Sequence, residues 1–173
     1  TYGTLTIGAD GSYTYAATQD AADVLDVGES ATDVFTYTLS DGAATTTANL
    51  TITILGANDA PVANNDAGVI VEDGTLTVAN SANATLTGTY DATGENSGDL
   101  IDTSSSSHTD SDSDTSASLS ISQIKKSGGS NSAVGIGSSY NSNGTQVTGT
   151  YGTLTIGADG SYTYAATQDA ADV

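Results

Sequence analysis

A 24-residue segment that occurs twice sets the terms for what this chain can fold into. Residues 1–24 and 150–173 are identical at all 24 positions, at an offset of 149 residues. An identical copy at a fixed offset is the mark of a tandem array, and a period of this length is large enough for each unit to be a domain. The centre of each copy, YGTLTIGADGSYTYA at residues 2–16 and 151–165, reads as a β-hairpin. Leu and Ile alternate with Thr, Gly-Ala-Asp-Gly turns the chain, and Tyr-Thr-Tyr resumes the alternation. Period-2 patterning around an Asp-Gly turn is the strongest short-range hairpin signal. Leu154, Ile156, Tyr162 and Tyr164 are expected on one buried face, with Thr153, Thr155 and Thr163 facing water.

The repeat also cuts the chain in an unexpected place. It begins and ends inside a unit, as an excerpt of a longer polymer of domains would. Residues 1–60 are expected to be the C-terminal part of one unit, and residues 61–173 the N-terminal and middle part of the next. The boundary falls at GANDAPV, residues 56–62, which holds the only proline. Pro61 has no N–H and biases Ala60 away from helix, so an extended linker is expected there.

Between these landmarks the chain alternates strands and turns. Residues 18–27 are Ala-rich and break the alternation, which predicts one helical turn or a crossing loop. Residues 33–40 form a strand with Phe35, Tyr37 and Leu39 inward, and Asp41-Gly42 turns it toward a partner at 48–55 with Leu50, Ile52 and Ile54 inward. Further strands are expected at 68–71, 75–78, 84–88 and 117–124, with a loose hairpin over 128–136. Residues 91–116 are Ser, Thr, Gly and Asp with almost no apolar side chain, a composition that builds no core. The pattern as a whole predicts an all-β sandwich in a tandem array.

Charge narrows the function. Twenty-one acidic residues face two basic ones, Lys125 and Lys126, for a net charge of -19. Phosphate recognition needs clustered Lys and Arg, so a nucleic-acid partner is excluded, and an anionic membrane surface is disfavoured. No run of 18 apolar residues exists, so no membrane insertion is expected. Self-repulsion of this size costs stability unless a cation quenches it. There is no cysteine, so neither disulfides nor thiolate-held metals contribute.

Calcium takes six to eight oxygen ligands, which suits Asp, Asn and carbonyls held on loops. Two constellations have that chemistry. Asp110, Asp112 and Asp114 are spaced two apart, so a curved loop could aim them at one ion. At the linker, Asn58, Asp59 and Asp66 could meet Glu72 and Asp73 across the junction. The competing reading is that Asp and Asn here simply make turns and solvated loops. Catalysis has little support: His108, the only histidine, sits in a serine-rich tract where a neighbouring serine is expected from composition alone. Tyr13 and Tyr15 read as cross-strand core residues rather than a sugar-stacking platform.

With YGTLTIGADGSYTY, DVFTYTLSDG (33–42), LTITILGANDAPV (50–62) and VEDG (71–74) in hand, the chain resembles the VCBS repeat. That family builds repetitive regions of secreted bacterial adhesins and RTX-type surface proteins, in biofilm and cell adhesion. The resemblance implies a cadherin- or immunoglobulin-like β-sandwich, calcium dependence and an extracellular or cell-surface location. It implies a non-catalytic spacer in an adhesin stalk or extracellular fibre, whose partners are neighbouring identical units. Two alternatives stand beside it: a module binding a cell-surface glycan or matrix, and a filament subunit assembled by strand exchange. Residues 91–116 depart from the family pattern apart from the Asp triplet.

Overall fold

The computed structural model describes residues 1–80, 98–103 and 108–168, with the backbone alone at 86–88. Among the described residues, eleven strands and one short helix follow in order: β1 (Thr4–Ile7), β2 (Tyr13–Ala16), α1 (Asp20–Asp23), β3 (Ser30–Ser40), β4 (Thr45–Leu55), β5 (Thr75–Val78), β6 (Leu86–Gly88), β7 (Gln123–Ile124), β8 (Ser132–Ala133), β9 (Thr145–Thr148), β10 (Thr153–Ile156) and β11 (Tyr162–Ala165). Every pairing is antiparallel. The architecture is thus all-β, as the alternation predicts, and no described helix is long and apolar enough to cross a membrane.

The chain divides into two compact units. The first comprises Thr1–Pro61 and Asp112–Ala117; the second comprises Val62–Ser111 and Ser118–Val173.

In the first unit, β1 and β2 form a two-stranded hairpin in which Leu5 faces Tyr15 and Ile7 faces Tyr13. The turn closes by Gly8 N–H donating to the Ser12 carbonyl at 2.8 Å, while Asp10 accepts from the Ser12 N–H and hydroxyl. Such Asx bonding is the mechanism that makes Asp a turn residue. β3 and β4 form an 11-residue antiparallel pair. Asp41 closes it by accepting from the Ala43 and Ala44 N–H groups, and Gly42 takes the left-handed φ of 89° that the turn needs. Tyr15 meets Phe35 edge to face at 6.1 Å, joining hairpin to ribbon.

The inward face of β3 and β4 is covered at one end alone. Ile54 is buried and Phe35, Leu50 and Ile52 are half-buried, whereas Tyr37 is 42% and Leu39 63% exposed. The expectation that Tyr37 and Leu39 point into a core is therefore corrected. The parity is right, but no layer of this unit covers that end among the described residues.

The second unit holds the main core. β6, β5, β11, β10 and β9 form one five-stranded sheet in that order, with the second hairpin copy at its centre. Leu76, Val78, Val134, Ile156, Ala158 and Tyr162 form the buried cluster, and Ile70, Leu100, Ile121, Ile124 and Leu154 pack against it. Thr153, Thr155 and Thr163 are half-buried rather than water-facing, because β9 and β5 flank the hairpin on both sides.

Two expected strands are replaced by irregular backbone: residues 68–71 form none, and of 117–124 only β7 at the end is a strand. Loop hydrogen bonds serve instead, including Ile121 N–H to the Ala158 carbonyl at 2.9 Å. Of the expected strand at 84–88, residues 84–85 lie outside the described residues, as do 91–97 and 104–107 of the serine-rich tract.

Candidate metal centre

The candidate ligand residues singled out in the sequence fall into four local settings. In the first unit, Asn58 and Asp59 lie beside residues of the Asp triplet. Asp59 N–H donates to Asp114 Oδ2 at 3.0 Å, and Asp114 N–H donates to Asp112 Oδ1 at 2.9 Å. The Asn58 amide donates to the Asp59 carbonyl. Asp114 Oδ1 is buried and has no hydrogen-bond partner. An unsatisfied buried carboxylate oxygen is uncommon and needs a reason, such as an ion.

The same short segment is fixed by a residue the sequence reading did not single out. Asp26 accepts from Thr115 N–H at 2.8 Å, from the Thr115 hydroxyl at 3.0 Å and from Ser116 N–H at 3.0 Å. The Ser116 side chain first, and these bonds after it, hold the Asp26 carboxyl below its ordinary range. Nothing local in sequence announces this contact, since 89 residues separate Asp26 from Thr115.

Asp110 belongs to the second unit and is itself buried. Its carboxylate accepts from Asn64 N–H at 2.8 Å and from Asp102 N–H at 3.2 Å, and its own N–H donates to the Asp102 carbonyl. Val62 and Ser111 exchange backbone hydrogen bonds beside it, and His108 Nδ1 lies 2.7 Å from the Asn65 carbonyl. That contact places His108 in the backbone fabric of the loop. Asp66 acts elsewhere, adding negative charge near Tyr162.

Glu72 and Asp73 occupy the turn before β5. Asp73 adopts a left-handed φ of 59°, and its N–H donates to the Ala166 carbonyl at 2.9 Å. Asp and Asn are among the few side chains that tolerate this conformation, which accounts for Asp73 as a turn residue.

Among the described residues, no three or more His, Cys, Asp or Glu side chains converge as a metal-binding group. Any ion at the Asp112 and Asp114 segment would thus draw on Asn58 and main-chain carbonyls for part of its shell. Asp112, Asp114, Asn58 and the Asp59 carbonyl there are all hard oxygen groups of the kind calcium takes.

A separate acidic contact braces the first unit. Asp33 Oδ2 accepts from the Tyr15 hydroxyl at 2.5 Å and from Tyr2 N–H at 3.0 Å. Asp33 shares strand parity with Phe35, Tyr37 and Leu39. A carboxylate on an apolar face is the signal by which the sequence could have revealed a partnered residue.

Comparison with known families bears on this unit. Residues 1–56, which hold β1 to β4, match the bacterial cadherin-like domain. No curated protein and no solved structure matches the chain. The fold is an all-β, cadherin-like β-sandwich class, and the match supports a cadherin-like repeat.

Proposed function

We propose that this chain is a non-catalytic structural module of a secreted bacterial surface protein, a VCBS-type spacer in an adhesin stalk or fibre, stiffened by calcium. The carrying observation is the match of residues 1–56 to the bacterial cadherin-like domain in a chain that is all-β. The net charge of -19 and the unpartnered buried Asp114 Oδ1 support the calcium part of the reading. In it, Asp112 and Asp114 supply the carboxylate ligands, with Asn58 and main-chain carbonyls completing the shell, while Asp110 orders the neighbouring loop through Asn64 and Asp102. An ion there would supply positive charge and tie the segment after residue 111 to the end of β4's trailing linker.

Thermal unfolding in millimolar calcium, then in chelator, tests it. A ligand present at about 100 times its Kd adds about 2.7 kcal/mol to the native state. Chelation is expected to lower the melting temperature of the wild type and to leave Asp114→Asn nearly unmoved. A wild-type melting curve indifferent to chelator removes calcium from the reading.

A further inference from the structure

Of the asparagines in this chain, Asn143 alone is followed by a glycine. That order sets the Asn143 amide carbon, Cγ, a small ring closure away from the Gly144 backbone nitrogen, with no Cβ on the second residue to obstruct the approach. A nucleophile tethered in this way gains the large effective molarity of an intramolecular reaction. Whether the reaction proceeds in a folded chain depends on what holds the two groups. Asn143 is exposed in the turn before β9, and its side chain makes no hydrogen bond among the described residues. Neither the Asn143 N–H nor the Gly144 N–H donates to a protein acceptor among them.

Other asparagines are tied down. The side chains of Asn49, Asn131 and Asn141 bond to those of Thr36, Gln123 and Ser139, and those of Asn64 and Asn80 donate to the main-chain carbonyls of Thr109 and Asp159. An amide fixed by such a bond must break it before its carbon can be attacked.

We infer that Asn143 is a site of self-modification, where the side-chain amide is lost to attack by Gly144 N and the sheet edge formed by β9 is loosened as a result. Base in the solvent takes the Gly144 N–H proton, and the nitrogen bonds to Asn143 Cγ. The Cγ–Nδ2 bond breaks, and the leaving nitrogen takes a proton from water and departs as ammonia. Water then opens the cyclic imide. Breaking the new bond at Cγ gives aspartate; breaking the bond at the main-chain carbonyl carbon gives isoaspartate, whose main chain runs through Cβ and Cγ and is longer by a carbon. The turn has little room for that carbon: a Cβ on Gly144 would lie 2.8 Å from Thr155 Cγ2 and 3.0 Å from the Ser139 and Tyr140 carbonyl oxygens. β9 is the edge of the five-stranded sheet, paired with β10 from Thr145 opposite Ile156 to Thr148 opposite Thr153. A longer turn therefore displaces the Thr145 end of a strand that its sheet holds from one side. Either product takes the net charge from -19 to -20. The inference rests neither on the spacer reading nor on calcium.

The test is incubation of the full folded chain at mildly alkaline pH, with each asparagine followed by peptide mass mapping. Isoaspartate in the peptide holding residue 143 is read by labelling with an isoaspartate-specific carboxyl methyltransferase. Asn143 is expected to convert before any other asparagine, at a rate close to that of the chain unfolded in urea, because no hydrogen bond has to open. Asn143→Gly suits the left-handed φ of 58° at this position and is expected to fold like wild type while losing the label from that peptide entirely. In the converted wild type, the amides of Thr145–Thr148 are expected to lose hydrogen-exchange protection. Freshly prepared Asn143→Asp carries the charge without the longer main chain and is expected to keep it. The inference is overturned by an Asn143 that stays an amide or converts far more slowly folded than unfolded, or by a label that persists in Asn143→Gly. It is equally overturned by β9 protection that conversion leaves unchanged, or that Asn143→Asp loses to the same extent.

Discussion

Gly11 and Gly160 are the same residue of the same turn, with φ of 84° and 85°. A Cβ on Gly11 meets nothing within 4 Å, whereas one on Gly160 would lie 2.9 Å from Ile101 N and 3.0 Å from Ile101 Cγ1. Gly11→Ala should therefore cost only the left-handed penalty, about 1–2 kcal/mol. Gly160→Ala should add about 1–3 kcal/mol of overpacking to that. Denaturant titration with hydrogen exchange read at each hairpin checks the difference. Tyrosine ionisation gives a second residue-scale test. Burial, reinforced by the charges of Asp66 and Asp99, pushes Tyr162 up to about 12. Unfolded tyrosine titrates near about 10. The folded state thus favours the protonated ring, so this contribution is whole below about pH 10 and is lost as pH rises through about 12. Tyr15, also raised to about 12 by desolvation and by its bond to Asp33, acts in the same direction. Tyr162→Phe should flatten part of the alkaline loss of stability followed by circular dichroism against pH.

At the scale of elements, hairpin, ribbon and turn positions were largely legible. β5 covers the expected residues 75–78, and α1 falls within the predicted 18–27 segment. Alternation and Asp-Gly turns are local signals, and local hydrogen bonds such as those of Asp10 and Asp41 carry them out. The misread strands at 68–71 and 117–122 have apolar residues in strand-like order, yet Ile70 and Ile121 reach the core from irregular backbone. Burial of those side chains satisfies the pattern without a ladder, so periodicity alone could not separate the two. The metal candidates were legible as chemistry but not as grouping. Asp110 and Asp114 lie four positions apart in sequence and belong to different units. The duplicated strands yield a direct energetic comparison: Ile156→Ala, at a fully buried site, should cost about 2–5 kcal/mol. Ile7→Ala, at a site 51% exposed, should stay within about 0.5 kcal/mol. Chemical denaturation of the two variants measures both.

For the whole molecule, the two copies of one segment separate local from tertiary causes. Gly8 N–H to Ser12 O is 2.8 Å and Gly157 N–H to Ser161 O is 2.9 Å; Gln19 N–H to Tyr2 O and Gln168 N–H to Tyr151 O are both 3.4 Å. Asp10 accepts from Ser12 as Asp159 accepts from Ser161. Strand pairing, turn, register and the face each side chain takes were thus determined by the residues of the segment alone, because every one of those features is set by bonds inside it, the widest joining Tyr2 to Gln19. Whether that face is core or surface was decided only by the tertiary structure. Burial of Ile156 and Tyr162 needs β5, β9 and the Val134 layer, which stand earlier in the chain, Val78 84 positions before its partner Tyr162, and no hydrogen bond within the hairpin can supply them.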